Sequence, residues 1–403
     1  MEHQTKKQRP ILSIGLLVLS TLIARSAFLW WKPEGAVSVD VHSWEVVAEI
    51  LRRGGNPYEQ TTFLNWPPVW PLIIYSLSRA SAVAGTSFRD LLFALLSLLD
   101  CALVIVVYLS SIHAFHSPVR RAFLTSLFGI ALSPIPILLS CQHGNFDVVS
   151  VLCILGALLV LNNAIMKQST STWLRGCLFL GIAGMTKTFP LVLAPLFIFS
   201  FPSRSRAEWL WASLLIVLPW LLAVGVIYVA APDAVWRNVV MYNSVPSRFG
   251  LNTIFTEVFG DAGRAAQTAF FVALMMGGYS TVIAALRKRY HSSLLVVAAA
   301  FVLGVLPVFG PGFGPQYILW ILPLWTAIFP VLSLNRKLVV MACYLVATVC
   351  YLYLYAFVAL YGASVGPPLF FITGYVVVVQ VALYAALLVL VLLGFRICRE
   401  AQG

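Results

Sequence analysis

Residues 91–112 read LLFALLSLLDCALVIVVYLSSI, twenty-two residues with one charge, Asp100, near the middle. A helix of that length spans the roughly 30 Å of hydrocarbon in a bilayer. Inside lipid every backbone N–H and C=O must find a partner within its own element, so the stretch reads as a transmembrane helix. A carboxylate at its centre needs a partner, and Arg25 in an earlier apolar run is the candidate. Similar runs recur along the chain, at about 11–31, 68–84, 90–112, 122–140, 146–165, 174–186, 189–201, 208–231, 267–286, 292–309, 317–333, 338–361 and 370–395. None shows the ten-residue alternation of a membrane β-barrel.

Composition agrees. Hydrophobic residues make up 61% of the chain and charged residues 10%, against about 25% charged in a soluble domain. The net charge of +12 is read as membrane topology, not as a nucleic-acid footprint, because the Lys and Arg residues cluster in short loops. The seven cysteines fall in or beside apolar runs without CxxC spacing and read as small core residues. Residues 11–31 lack a small-residue cleavage site and are long enough to span, so they are read as a first span and not a signal peptide.

Charge then decides which runs cross. Lys6, Lys7 and Arg9 place the N-terminus in the cytoplasm. If 68–84 lies on the outer surface, the clusters Arg120–Arg121, Lys167 with Arg175, Arg204 with Arg206, Arg287–Arg289, Arg336–Lys337 and Arg396 with Arg399 all fall inside; if it spans, all fall outside. The expectation is an all-α polytopic membrane protein, a single domain over 1–403, with about 12 transmembrane helices and both termini cytoplasmic. Residues 32–89 form a long external loop with interfacial helices, one over Ser43–Arg53, and 232–266 a second external loop. Runs 174–186 and 189–201 are too short to span upright and read as a broken pair meeting near Lys187–Pro190, as occurs where backbone lines a cavity.

On the external side lie few groups able to do chemistry. Asp40 follows the first span and suits a general base at the membrane surface, or a solvated loop carboxylate. Lys187, Arg248 and His143 suit a phosphate, or, for Lys187, a side chain reaching for the interface. Pro311–Tyr317 is a glycine-rich turn opening a helix. No GKS/T loop, HExxH or GxSxG is present, which removes P-loop ATPase, zincin and serine-hydrolase chemistry.

Four segments in order carry a resemblance: Asp40 followed by Gly54–Gly55–Asn56–Pro57–Tyr58 and Trp66–Pro67–Pro68; Ser140–Cys141–Gln142–His143–Gly144–Asn145; Ala183–Gly184–Met185–Thr186–Lys187–Thr188–Phe189–Pro190; and Gln316–Tyr317–Ile318–Leu319–Trp320 with Pro323. Together they resemble the GT-C glycosyltransferases, in particular the dolichyl- or polyprenyl-phosphate-mannose mannosyltransferases such as the catalytic subunit of the first GPI-anchor mannosyltransferase and its bacterial relatives. The resemblance implies inverting transfer of a sugar, mannose by likeness, from a polyprenyl-phosphate donor to a glycolipid or glycan acceptor. It implies Asp40 as catalytic base, Lys187, Arg248, His143 and Gln316 at the donor phosphate, and Tyr58, Asn145 and Tyr317 as substrate-binding residues. The GPI relatives carry D-x-D in the first loop; here Ser38 occupies the first position, so no cofactor is expected and a divalent metal stays open but is not favoured. The expected partners are the donor, the acceptor and the bilayer, with no nucleic acid. The expected location is a bacterial plasma membrane, with an ER membrane as the alternative. A lipid or solute transporter or flippase is the competing reading, and it calls for midplane charges and inverted repeats.

Overall fold

The computed structural model describes residues 2–31, 38–202, 205–242, 251–310, 314–353 and 369–402. Among these the secondary structure is helical throughout, and nine helices are long and apolar enough to cross a membrane: Pro10–Trp31, Phe88–His113, Val119–His143, Asp147–Lys167, Arg206–Ala230, Ala265–Lys288, Ser292–Phe309, Leu334–Tyr351 and Val378–Glu400. Of the other expected runs, one lies in the 17-residue Thr170–Thr186 helix, and Phe189–Ser200 and Gln316–Val331 are shorter apolar segments. The fold is that of an all-α polytopic membrane protein.

Two segments differ from their sequence reading. The first helix of the 32–89 segment is Val39–Arg52, not Ser43–Arg53. Ser38 caps it by accepting the Val41 N–H at 3.3 Å, and Asp40 in the first turn faces the positive end of the helix dipole. The cap moves the helix start toward the first span, so Asp40 sits on a rigid element, not in a loop. The 232–266 segment is largely helical where described: Pro232–Val235 and Trp236–Val240 are short helices, and a long helix begins at Leu251 and kinks at Gly260. The Val69–Ala84 helix has 16 residues, about 24 Å at the α-helical rise, short of a full crossing. Its Trp70 packs edge-on against Trp44 of the Val39–Arg52 helix.

The chain packs as two compact units, one of residues 1–36, 97–142 and 246–403, the other of 37–96 and 143–245. The first is built around Ser292–Phe309, buried without interruption from Leu294 to Val305. It packs against Leu251–Lys288 and Leu369–Glu400. Gly304 admits Val391 and Gly394 admits Phe301, the small-residue contact that lets membrane helices approach. In the second unit Asp147–Lys167, Thr170–Thr186 and Arg206–Ala230 pack in sequence order. Gly181 lies against the carbonyls of Leu215 and Ile216, where a Cβ would collide with backbone.

The first unit also contains the ion pair expected of Asp100. Arg25 Nε lies 2.9 Å from Asp100 Oδ2, with the two side chains 1% and 0% exposed. Arg25 also donates to the carbonyls of Ala131 and Ile130. Pro134 has no N–H to offer Ile130 four residues back, so the guanidinium fills a gap that the sequence itself creates. Arg25→Leu leaves Asp100 unpaired and should cost about 3–5 kcal/mol, while Arg25→Leu with Asp100→Leu should recover part of that because no buried charge is left alone. Unfolding in detergent reads both; a double variant no more stable than Arg25→Leu would contradict the pairing.

Candidate active site

The second unit gathers five of the eight expected site residues: Asp40, Tyr58, His143, Asn145 and Lys187. Their positions follow from three local structures. The Thr170–Thr186 helix stops at Lys187, which is extended at φ −151°, ψ 147°, ahead of Pro190, whose ring and missing N–H discourage helix there. The Asp147–Lys167 helix starts at a tight turn, in which Gly144 has φ +67° and Asn145 Oδ1 accepts the Asp147 N–H at 2.7 Å. The Val39–Arg52 helix then presses on that turn. Ser38 Oγ donates to the His143 carbonyl at 2.5 Å, and Trp44 Nε1 donates to the Gly144 carbonyl at 3.0 Å.

Lys187 is 2% exposed, so it does not reach out to the interface. Its ammonium pairs with the wholly buried Asp147 carboxylate. It also sits 4.1 Å from the Trp66 ring centroid and 4.8 Å from that of Phe146, where ring faces attract a cation. Phe146 stacks on Trp70 at 4.3 Å. Tyr58 is buried, and its hydroxyl donates to the Trp66 carbonyl at 2.8 Å. Burial pushes its phenol pKa upward, so it serves as a neutral donor that holds Trp66 over the lysine.

Asp40 differs from Asp147 in access. A third of its side chain is exposed, and its Oδ2 lies 2.9 Å from His143 Nε2. Burial of the carboxyl favours the neutral acid, but the His143 charge, the hydrogen bond to His143 and the Lys187 charge outweigh it, so its pKa falls below the usual value. The site thus holds an open, ionised carboxylate beside a sealed Lys–Asp pair. Among the described residues, no three His, Cys, Asp or Glu side chains cluster as a metal site.

Of the other expected site residues, Gln316 and Tyr317 belong to the first unit. There they lie in a 3-10 turn over Pro315–Trp320, with Tyr317 stacked on Trp320 at 4.2 Å. Arg248 falls outside the described residues. The sequence reading missed Asp147, Trp66 and Phe146 as parts of the site. A carboxylate opening one span and a lysine at a helix break, both on the external side by charge parity, was the available signal for Asp147.

No family model matches the chain, and no curated protein does. Among solved structures it is similar to ArnT from Cupriavidus metallidurans bound to undecaprenyl phosphate, with a TM-score of 0.52 and 13% identity, over 96% of this chain and 76% of that one. The likeness is one of fold, that of a polytopic all-α membrane protein.

Gly144 and Gly54 separate strain from contact. Both have positive φ, +67° and +76°, but a Cβ at Gly54 meets nothing, while one at Gly144 strikes Val41 of the Val39–Arg52 helix. Gly54→Ala should cost about 1–2 kcal/mol of backbone strain. Gly144→Ala should add about 1–3 kcal/mol for the clash. Thermal unfolding of the two variants in one detergent checks the order; equal losses would mean that the helix does not press on the turn.

Proposed function

We propose that this chain is a membrane glycosyltransferase that moves a sugar from a polyprenyl-phosphate donor to a hydroxyl of a lipid-linked or cell-envelope acceptor, with inversion, and that Asp40 is its general base. The observation that carries the reading is the contrast between the two carboxylates of the site. Asp147 is sealed against Lys187, whereas Asp40 stays ionised and keeps a third of its surface open. The fold likeness to ArnT, a protein solved with undecaprenyl phosphate bound, supports a polyprenyl-phosphate donor. Mannose as the sugar rests on the sequence resemblance, as do the phosphate roles of Arg248 and Gln316; a bacterial plasma membrane is the proposed location.

The chemistry follows from the leaving group. The acceptor oxygen attacks the anomeric carbon while its proton passes to Asp40. The bond from that carbon to the phosphate oxygen breaks, and its electron pair leaves with the phosphate. Phosphate is already a weak base, so one carboxylate suffices, unlike a glycosidase, which needs a second carboxyl group to protonate a poor leaving group. Lys187 contributes a fixed positive potential, moderated by Asp147, to the growing charge of the phosphate.

Asp40→Asn keeps the size and the neighbours of the side chain but removes the base. Transfer from a polyprenyl-phosphate sugar in membranes should fall by about 10²–10⁴-fold, with unfolding temperature and donor binding unchanged. Retained transfer would remove Asp40 from this role. Because the His143 charge, its hydrogen bond and the Lys187 charge hold the Asp40 carboxyl below its usual value, Asp40 stays ionised as the pH falls, and kcat/KM should lose this base only below the ordinary carboxylate range. Activity should survive EDTA; loss on chelation would call for a metal in the mechanism.

A further inference from the structure

The first unit holds a second feature, unrelated to Asp40. An apolar groove of about 300 Å³ runs between the Val119–His143, Gln316–Val331, Leu334–Tyr351 and Val378–Glu400 segments, lined among others by Leu124, Thr125, Phe128, Trp325, Met341 and Tyr344. An apolar cavity of about half that volume already takes a benzene-sized guest and stays dry. The groove is therefore built for hydrocarbon. Phe128 on its wall is 61% exposed, so it opens to the surface that faces lipid.

What the groove holds is set by charge at one end. Arg120 and Arg121 precede Leu124 and Thr125 by four residues, one helical turn, on the same face. Arg336 and Lys337 precede Val340 and Met341, also lining residues, by the same turn. Two separate helices thus carry a basic pair about 6 Å along the axis from the groove wall. Lys337 donates to the Pro330 carbonyl at 2.9 Å, and the Phe329–Val331 turn packs on Val119–Ser126, which brings the two pairs to one mouth. Glu400, which bridges Arg336 and Arg396, is the one carboxylate paired with these cations among the described residues. Arg120 and Arg121 are exposed. The positive-inside rule assigns this end to the cytoplasmic leaflet, whose anionic lipids draw such clusters.

We infer that the groove is a binding site for an anionic glycerophospholipid of the cytoplasmic leaflet, with one acyl chain along Thr125, Trp325 and Met341 and the headgroup phosphate at Arg120, Arg121 and Lys337. The site is separate in sequence and in chemistry from the Asp40 constellation and stands whether or not the proposed transfer is correct.

The full chain, purified in maltoside and stripped of lipid, is titrated with phosphatidylglycerol or phosphatidylcholine of matched acyl chains. Unfolding temperature and retained lipid by native mass spectrometry are the readouts. Phosphatidylglycerol should bind more tightly and raise the unfolding temperature more than phosphatidylcholine. At about 1 kcal/mol per basic residue near an anionic headgroup, Arg120→Gln with Arg121→Gln should weaken phosphatidylglycerol about thirty-fold and remove its advantage. Those two side chains are exposed, so the double variant should fold normally. Thr125→Trp, which fills the groove, should abolish retention of both lipids. Equal binding of the two lipids to the unmodified protein would overturn the inference. So would an undiminished preference in the arginine double variant, or displacement of bound phosphatidylglycerol by undecaprenyl phosphate at equal concentration.

Discussion

The second unit depends on one buried ion pair. Lys187 closes the Thr170–Thr186 helix and Asp147 opens the Asp147–Lys167 helix, forty residues apart in sequence. Neither charge is tolerable alone at 2% and 0% exposure, and the loss of one partner from such a pair costs about 3–5 kcal/mol. By contrast, the exposed Glu49–Arg52 and Glu49–Arg53 pairs are worth about 0–1 kcal/mol each. The buried pair therefore sets where two helices end, and the surface pairs follow. Trp66 and Phe146 close over the ammonium, and Trp70 and Trp44 pack on Phe146. Through Trp44 and Ser38 the Val39–Arg52 helix is tied to the Gly144 turn. The position of Asp40 is the end of that chain of contacts.

The same arrangement fixes what kind of base Asp40 makes. Cations beside a carboxylate stabilise its charged form and weaken its affinity for a proton. General base catalysis is best when the catalytic pKa approaches the working pH, and Asp40 lies on the low side of that optimum. On the proposed reaction such a base is adequate because the phosphate departs without protonation, so the bond to the leaving group is well broken before the acceptor's proton must move. A site poised for a poor leaving group would have raised its carboxyl pKa by removing the cations, as burial alone would do here.

Much of this was legible in the chain. Span length and near-absence of charge gave the helices. The break at Lys187–Pro190 followed from two runs too short to cross. The Arg25–Asp100 pair followed from the rule that a midspan carboxylate needs a cation. What stayed hidden depended on packing across long sequence separations. His143 and Asp40 meet only because the Ser38 cap draws the helix start back toward the Gly144 turn, and a helix read from amphipathic periodicity alone began at Ser43. Lys187 was read as facing a phosphate or reaching for the interface, and the fold instead buries it against Asp147, forty residues away. Tyr58 was read as touching substrate, whereas its hydroxyl is spent inside the protein on the Trp66 carbonyl.

The net charge of +12 is also distributed by this logic. Among the described residues each buried cation has its own carboxylate, Arg25 with Asp100 and Lys187 with Asp147, as does Arg89 with Glu45 closer to the surface. Fourteen acidic residues against twenty-six basic ones cannot continue that pairing everywhere. The unmatched cations collect in short turns between spans, where the positive-inside rule tolerates them. At Arg120–Arg121 and Arg336–Lys337, where Glu400 answers Arg336 alone among the described residues, basic pairs lie one helical turn from an apolar groove. A bare cation cluster at a membrane surface attracts any anionic headgroup, and a bare groove admits any hydrocarbon. Only the two together, at one mouth, give the inferred selection for a molecule that carries both a negative head and a chain.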